Sequence, residues 1–122
     1  MTIRADNLTV SYGRATILHS LSFGPLEPGN VVGLIGPNAA GKSTLVKTIA
    51  GIKEPAEGSV TLSVDGAELV GKQKVQAVGY VPQDLLSSAS LTAFESIMVS
   101  ARRRGDATWN PLERSATVME RL

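Results

Sequence analysis

The segment LIGPNAAGKSTL at 34–45 constrains this chain more than any other stretch. From Gly36 it reads GPNAAGKS and fits G-x-x-x-x-G-K-[ST] at every required position. In such a loop Gly36 and Gly41 let the backbone wrap tightly, so that consecutive N–H groups, with Pro37, Asn38, Ala39 and Ala40 between them, point into one concavity. A helix opening near Lys42 adds the positive end of its dipole. Lys42 brings a mobile cation for outer phosphates, the Ser43 hydroxyl is placed to ligate magnesium, and Thr44 is the last residue of the expected nucleotide-binding run. The alternative is an accidental glycine turn before a helix, and the flanks decide against it. VVGLI at 31–35 is apolar on both faces, as a covered central strand should be. KSTLVKTIAGI carries Leu45, Ile49 and Ile52 at helical spacing, so the spacing predicts a helix that packs back on a sheet.

The remaining chain is read against that site. At 122 residues it is one domain at most, and its formal charge of +1 gives no reason to expect nucleic acid or anionic lipid as a partner. There is no cysteine, which removes disulfides and thiolate metal sites. The opening MTIRADNLTV lacks the pattern of a secretory signal, and no apolar run is long enough to span a bilayer.

Residues 2–12 alternate in apolar character, but the phase shifts near Asp6-Asn7, since Ile3 is odd while Leu8, Val10 and Tyr12 are even. A strand with a bulge or turn there is expected. After Gly13, ATILHSLSF resumes with Ile17, Leu21 and Phe23 on one face, which predicts an antiparallel hairpin. His19, the only histidine, shares that phase and reads as partly buried and structural. SVTLSV predicts a half-exposed strand with Val60, Leu62 and Val64 inward, and VGYVPQ a second buried strand ending at Pro82-Gln83. Thr92 with Glu95 forms a capping box for one helix, with Phe94, Ile97, Met98 and Ala101 on one face. Asn110, Pro111 and Glu113 start another, with Leu112, Ala116, Met119 and Leu122 in a stripe. Arg102, Arg103 and Arg104 read as a solvated helix end, and Trp109 as peripheral packing.

Four motifs in order resemble the amino-terminal half of an ABC transporter ATP-binding subunit: LTVSYGRATILHSLSF, VVGLIGPNAAGKSTLVKTIAGI, PAEGSVTLSVDG and VGYVPQD. The resemblance runs from about residue 3 to residue 100. It implies an α/β fold, a P-loop NTPase core of the ABC ATPase type with an antiparallel β subdomain. Residues 1–84 would form that core and 85–122 the start of a helical subdomain. The resemblance also implies that Tyr12 stacks on adenine, and that Gln83 is the Q-loop glutamine that touches magnesium and the attacking water. A side-chain amide both donates and accepts, which suits such a role. Lys42 and Gln83 would be the groups nearest the chemistry, with ATP and Mg²⁺ as cofactors. Implied partners are transmembrane permease subunits, a second ATP-binding subunit in a homodimer and, indirectly, a substrate-binding protein. The implied location is cytoplasmic, peripheral on the inner face of the membrane.

Phosphoryl transfer also needs a carboxylate at the end of an apolar strand and a group to position water. No run of four apolar residues followed by Asp or Glu occurs in the sequence. LSVDG comes nearest, but Asp65 begins a turn, and Asp84 follows no apolar run. The family's LSGGQ-like signature, catalytic glutamate and switch histidine are absent too. The expectation is a chain truncated within the helical subdomain, aggregation-prone, with an unpaired sheet edge and no turnover by itself. LTAFESIMVSARRRG and GPNAAGKST resemble importers of the iron–siderophore, haem and vitamin B12 group, although Ala101 and Arg103-Arg104 depart from that group's pattern. A non-catalytic nucleotide-binding fragment is the alternative. A GTPase or small-molecule kinase is a further one; the chain has no Asn-Lys-x-Asp run for guanine, and ARRRG is the only stretch resembling a kinase lid.

Overall fold

A computed structural model describes residues 1–82, and residues Met1–Tyr80 form one compact unit. Gln83, both helices expected beyond it, Trp109 and the arginine run lie outside the described residues. Four strands make one sheet: β1 (Thr2–Tyr12), β2 (Ala15–Leu26), β3 (Glu57–Val64) and β4 (Ala67–Glu68), in the order β2-β1-β3-β4, each neighbouring pair antiparallel. Two helices accompany them, α1 (Lys42–Ile49) and the short α2 (Lys72–Ala77).

β1 is paired on both sides, and the expected change of phase is there. Asn7 has φ 48, and the register shifts between Ala5 and Leu8 against β2 and between Asp6 and Thr9 against β3. The bulge re-aims the strand so that Ala5, Leu8 and Val10 all reach the core. Leu18 of β2, Val60 of β3 and Leu45 of α1 join them, with Ile3, Leu21, Phe23 and Ile49 packed around the cluster. On the exposed side of the strand, Arg4 Nε donates to both Asp6 carboxylate oxygens at 3.0 and 2.9 Å, and these hydrogen bonds hold the Asp6 carboxyl below its usual range.

Four inward positions expected from the sequence are corrected. In β2 it is Leu18, not Ile17, that is buried, and His19 is exposed. Ser20 has φ 45, and Leu18 and Leu21 pair with Val10 and Leu8, so three steps on β2 match two on β1. That irregularity exchanges the facing of Ile17 and Leu18. Val64 is exposed where β3 turns into β4 through Asp65 (φ 51) and Gly66 (φ 81), the Asp-Gly turn that suits a tight hairpin. Ile52 lies beyond the end of α1 and is exposed. The helix stops at Ala50-Gly51: Gly51 N donates to Thr48 O (3.1 Å) and Ile52 N to Lys47 O (2.9 Å), the paired bonds of a Schellman stop with glycine at the left-handed position.

The larger difference is at 31–35 and 78–82, both expected as buried strands. Neither is in a strand ladder, and Val31 and Ile35 are almost fully exposed. A strand exists only when a neighbour takes its N–H and C=O groups. Among the described residues the sheet ends at β2 and β4, and no strand runs beside either segment.

Gly58 is where the sheet tolerates least. Its φ is 76, and a Cβ there would lie 2.3 Å from the Asn7 carbonyl oxygen and 2.4 Å from that of Asp6, both main-chain atoms at the β1 bulge. Gly58→Ala is expected to lower stability by about 2–4 kcal/mol, read as a lower urea midpoint. An unchanged midpoint would contradict this seating of β3 against the bulge.

Candidate functional site

The glycine-framed loop leaves the exposed 31–35 segment and ends on α1. Ala40 N donates to Pro37 O (3.3 Å), closing a turn over Pro37, Asn38, Ala39 and Ala40. Ala39 has φ 63 and Gly41 φ 91, so the backbone alternates in hand and gathers its amides on one side, the geometry of an anion-binding nest. Gly41 is the residue before the helix, and its carbonyl accepts the first helical bond, from Leu45 N at 2.9 Å. The N–H groups of Lys42, Ser43 and Thr44 therefore have no partner within α1.

Nothing in the helix's own sequence neutralises that end. No side chain caps it, its first turn holds no acidic residue, and Lys47 is the basic residue of its last turn. The dipole is thus answered at the carboxyl end and left open to an anion at the amino end. Thr44 and Leu45 are buried while Ser43 is exposed, which seats the helix and turns the second-position hydroxyl outward. That hydroxyl takes part in no hydrogen bond among the described residues. Lys42 Nζ reaches back to the carbonyls of Gly36 (2.6 Å) and Pro37 (2.5 Å), so the ammonium lies against the mouth of the loop.

The two framing glycines differ. A Cβ on Gly41 would fall 2.6 Å from Leu18 Cδ2 and 3.1 Å from Ile17 Cγ2, so the loop is seated on β2 at the one point where a side chain would lift it. At Gly36 a Cβ would meet only ordinary contacts, the nearest being Ala40 Cβ at 3.6 Å. Protein packing alone therefore leaves no room for a side chain at Gly41 and ordinary room at Gly36. A cleft of about 290 Å³ lies beside this seat, walled by Ile17, His19, Leu34, Lys42 and Leu45.

Tyr12 ends β1 opposite Ala15; the residue is 46% exposed, and Lys53 Nζ lies 4.7 Å from the ring centroid. No hydrogen bond among the described residues joins Tyr12 to residues 36–44. Ile17, which touches Gly41, lies two residues along β2 from Ala15, roughly 7 Å at the usual strand rise. Tyr12 and the loop are thereby brought to the same end of the hairpin. Among the described residues no cluster of three His, Cys, Asp or Glu side chains exists, so a metal here would rely on Ser43 and on oxygens of a bound anion. Lys53, in the connection between α1 and β3, lies 41 residues from Tyr12 in sequence, so their contact leaves no local pattern that sequence reading could find.

The profile of the ABC transporter family matches residues 18–122. The chain belongs to that family. It is 35% identical over 121 residues to the linearmycin resistance ATP-binding protein LnrL of Bacillus subtilis, covering 97% of this chain and 38% of that protein. To the zinc import ATP-binding protein ZnuC of Jannaschia it is 39% identical over 89 residues, 73% of this chain and 32% of that one. With the hemin import ATP-binding protein HmuV of Pseudomonas aeruginosa the identity is 40% over 82 residues, 66% of this chain and 32% of that protein. A solved ATP-binding subunit of an ABC transporter superposes with a TM-score of 0.69 at 29% identity, covering 86% of this chain and 43% of that one. The fold is therefore that of the ABC-type P-loop NTPase, and the chain spans less than half the length of these relatives. No helix among the described residues is long and apolar enough to cross a membrane.

The loop's two left-handed positions carry opposite expectations. Ala39→Gly relieves a strained alanine and is expected to gain about 0.5 kcal/mol after the added freedom of the unfolded chain is subtracted. Gly41→Ala drives a methyl into Leu18 and is expected to lose about 1–3 kcal/mol. Thermal or urea unfolding of the two variants beside the parent gives both signs.

Proposed function

We propose that this chain is the nucleotide-binding portion of an ABC transporter ATP-binding subunit, and that it holds ATP with Mg²⁺ at the loop 36–44. One observation carries this reading: the orphan amides of Lys42, Ser43 and Thr44 open at a helix end with no acidic residue of its own, inside the family's loop sequence. Gly36, Pro37, Asn38, Ala39, Ala40 and Gly41 wrap the outer phosphates, and the Lys42 ammonium leaves its carbonyl partners to meet them. Ser43 and Gln83 ligate magnesium, which offsets phosphate charge when bound. Tyr12 stacks on the base, since a nucleoside triphosphate is long enough to bridge the hairpin end and the loop. Residues 1–84 constitute the nucleotide-binding core and 85–122 the start of a helical subdomain.

In the complete subunit this core works in a homodimer that hydrolyses ATP, bound beneath transmembrane permease subunits on the cytoplasmic face and served indirectly by a substrate-binding protein. The cargo reading is import of a metal or metal chelate of the iron–siderophore and haem class. Relatives named for zinc, manganese and hemin transport support the wider class, and the LTAFESIMVSARRRG resemblance supports the narrower one. A second reading, a nucleotide binder without turnover, is favoured for the 122 residues taken alone. Asp65, which directly follows β3, sits in the β3–β4 hairpin turn.

Equilibrium titration of the chain with ATP, GTP and tripolyphosphate tests the site. Lys42→Ala is expected to weaken ATP and tripolyphosphate alike, by about ten- to hundredfold, because a charge-assisted contact is lost. Tyr12→Ala is expected to weaken ATP by about fivefold or more and to leave tripolyphosphate unchanged, since only the base loses its stacking partner. Indifference of tripolyphosphate to Lys42→Ala would refute the phosphate site, and a preference for GTP would refute the ATP reading.

A further inference from the structure

Lys53 is tied to both halves of the proposed nucleotide site. Its backbone N–H donates to Lys47 O (3.3 Å) in the closing turn of α1, the helix whose other end opens at the phosphate loop. Three residues on, Ala56 N donates to Thr9 O (2.8 Å) on β1, the strand that ends at Tyr12. Between these anchors the Lys53 ammonium lies 4.7 Å from the centroid of the Tyr12 ring, inside the range where a cation is attracted to the π face. Lys53 is half-buried, so its stem is held, while Tyr12 as a residue is exposed. One face of an exposed tyrosine is thus taken by a cation from a segment fixed to α1, and the rest is left to solvent.

We propose that Lys53 is a positioning residue for base recognition: it covers one face of Tyr12 and so holds the ring with the opposite face presented to the aromatic base of a nucleotide. This rests on the reading of Tyr12 as the stacking residue. An unrestrained tyrosine at a strand end would sample several rotamers, and a base binding to it would have to select one. The cation restricts that choice before the ligand arrives. The contribution belongs to the base half of the ligand only.

The test uses the full 122-residue chain, with ATP and tripolyphosphate as the two probes, in Lys53→Met, Lys53→Arg and Tyr12→Ala. Lys53→Met keeps the stem and removes the charge; it is expected to weaken ATP about two- to fivefold and to leave tripolyphosphate unchanged. Lys53→Arg keeps a cation for the ring and is expected to retain parental ATP affinity. In the Tyr12→Ala background Lys53→Met should have no further effect, because the ring it acts through is gone. Parental ATP affinity in Lys53→Met, beside a clear loss in Tyr12→Ala, overturns the role of Lys53 while the stacking role of Tyr12 stands. No loss in Tyr12→Ala overturns both. An equal loss for ATP and tripolyphosphate in Lys53→Met overturns the proposal in favour of a general packing or charge effect.

Discussion

Gly41 rests directly on β2, with Leu18 and Ile17 filling the space where its side chain would be, and the described structure is organised around that contact. It joins the antiparallel sheet to the helix whose first amides have no partner within it. Leu18 belongs to the buried cluster with Ala5, Leu8, Val10 and Val60, so the loop is seated on the most deeply packed part of the sheet. Leu45, one turn into α1, enters the same cluster and sets the helix direction. A loop whose residues 36–40 are all exposed is thus held from below, at Gly41, by the core. Preorganised amides cost little reorganisation when an anion binds, which is why a rigid seat matters more here than any one hydrogen bond.

The two bulges make that seat possible. With regular alternation from Ile3 onward, Leu8 and Val10 would face away from the side that buries Ala5. With regular alternation back from Leu21, Ile17 would be buried and Leu18 would point outward. Positive φ at Asn7 and Ser20 shifts both strands, and the Asn7 amide is satisfied by the Ser22 hydroxyl at 2.8 Å. Gly58 closes over the first bulge from β3 with no room for a side chain. Local irregularity in two strands therefore places one leucine under the phosphate loop.

How much of this was legible in the sequence depended on whether the determining partner was local. The loop, its helix and the hairpin are local and were readable. The Asp6-Asn7 bulge showed itself because apolar residues change parity within one strand. The bulge at Ser20 did not, since Ile17 and Leu18 are both apolar and only pairing with Leu8 and Val10 decides between them. His19 was misread for the same reason. VVGLI and VGYVP have the composition of buried strands, but a strand is a property of two segments, and no paired neighbour lies beside either among the described residues. The end of α1 was overrun, because Ile52 keeps the helical spacing beyond the stop at Gly51. The short α2 is built from polar helix formers without an apolar stripe, so periodicity could not find it. Within the candidate site the loop was readable from its spacing, the proposed role of Tyr12 rests on family resemblance, and the contact of Lys53 with Tyr12 left no sequence signal, because the two residues are distant in the chain.

The most direct measurement is an amide-resolved NMR titration of the chain with tripolyphosphate, which carries phosphate charge without a base. The largest shifts should fall on the backbone N–H groups from Ala39 to Leu45, with Leu18 and Ile17 responding beneath them and Tyr12 unmoved. Shifts concentrated on the exposed lysines elsewhere, or spread evenly with no maximum at the loop, would contradict a preorganised phosphate cradle seated on β2.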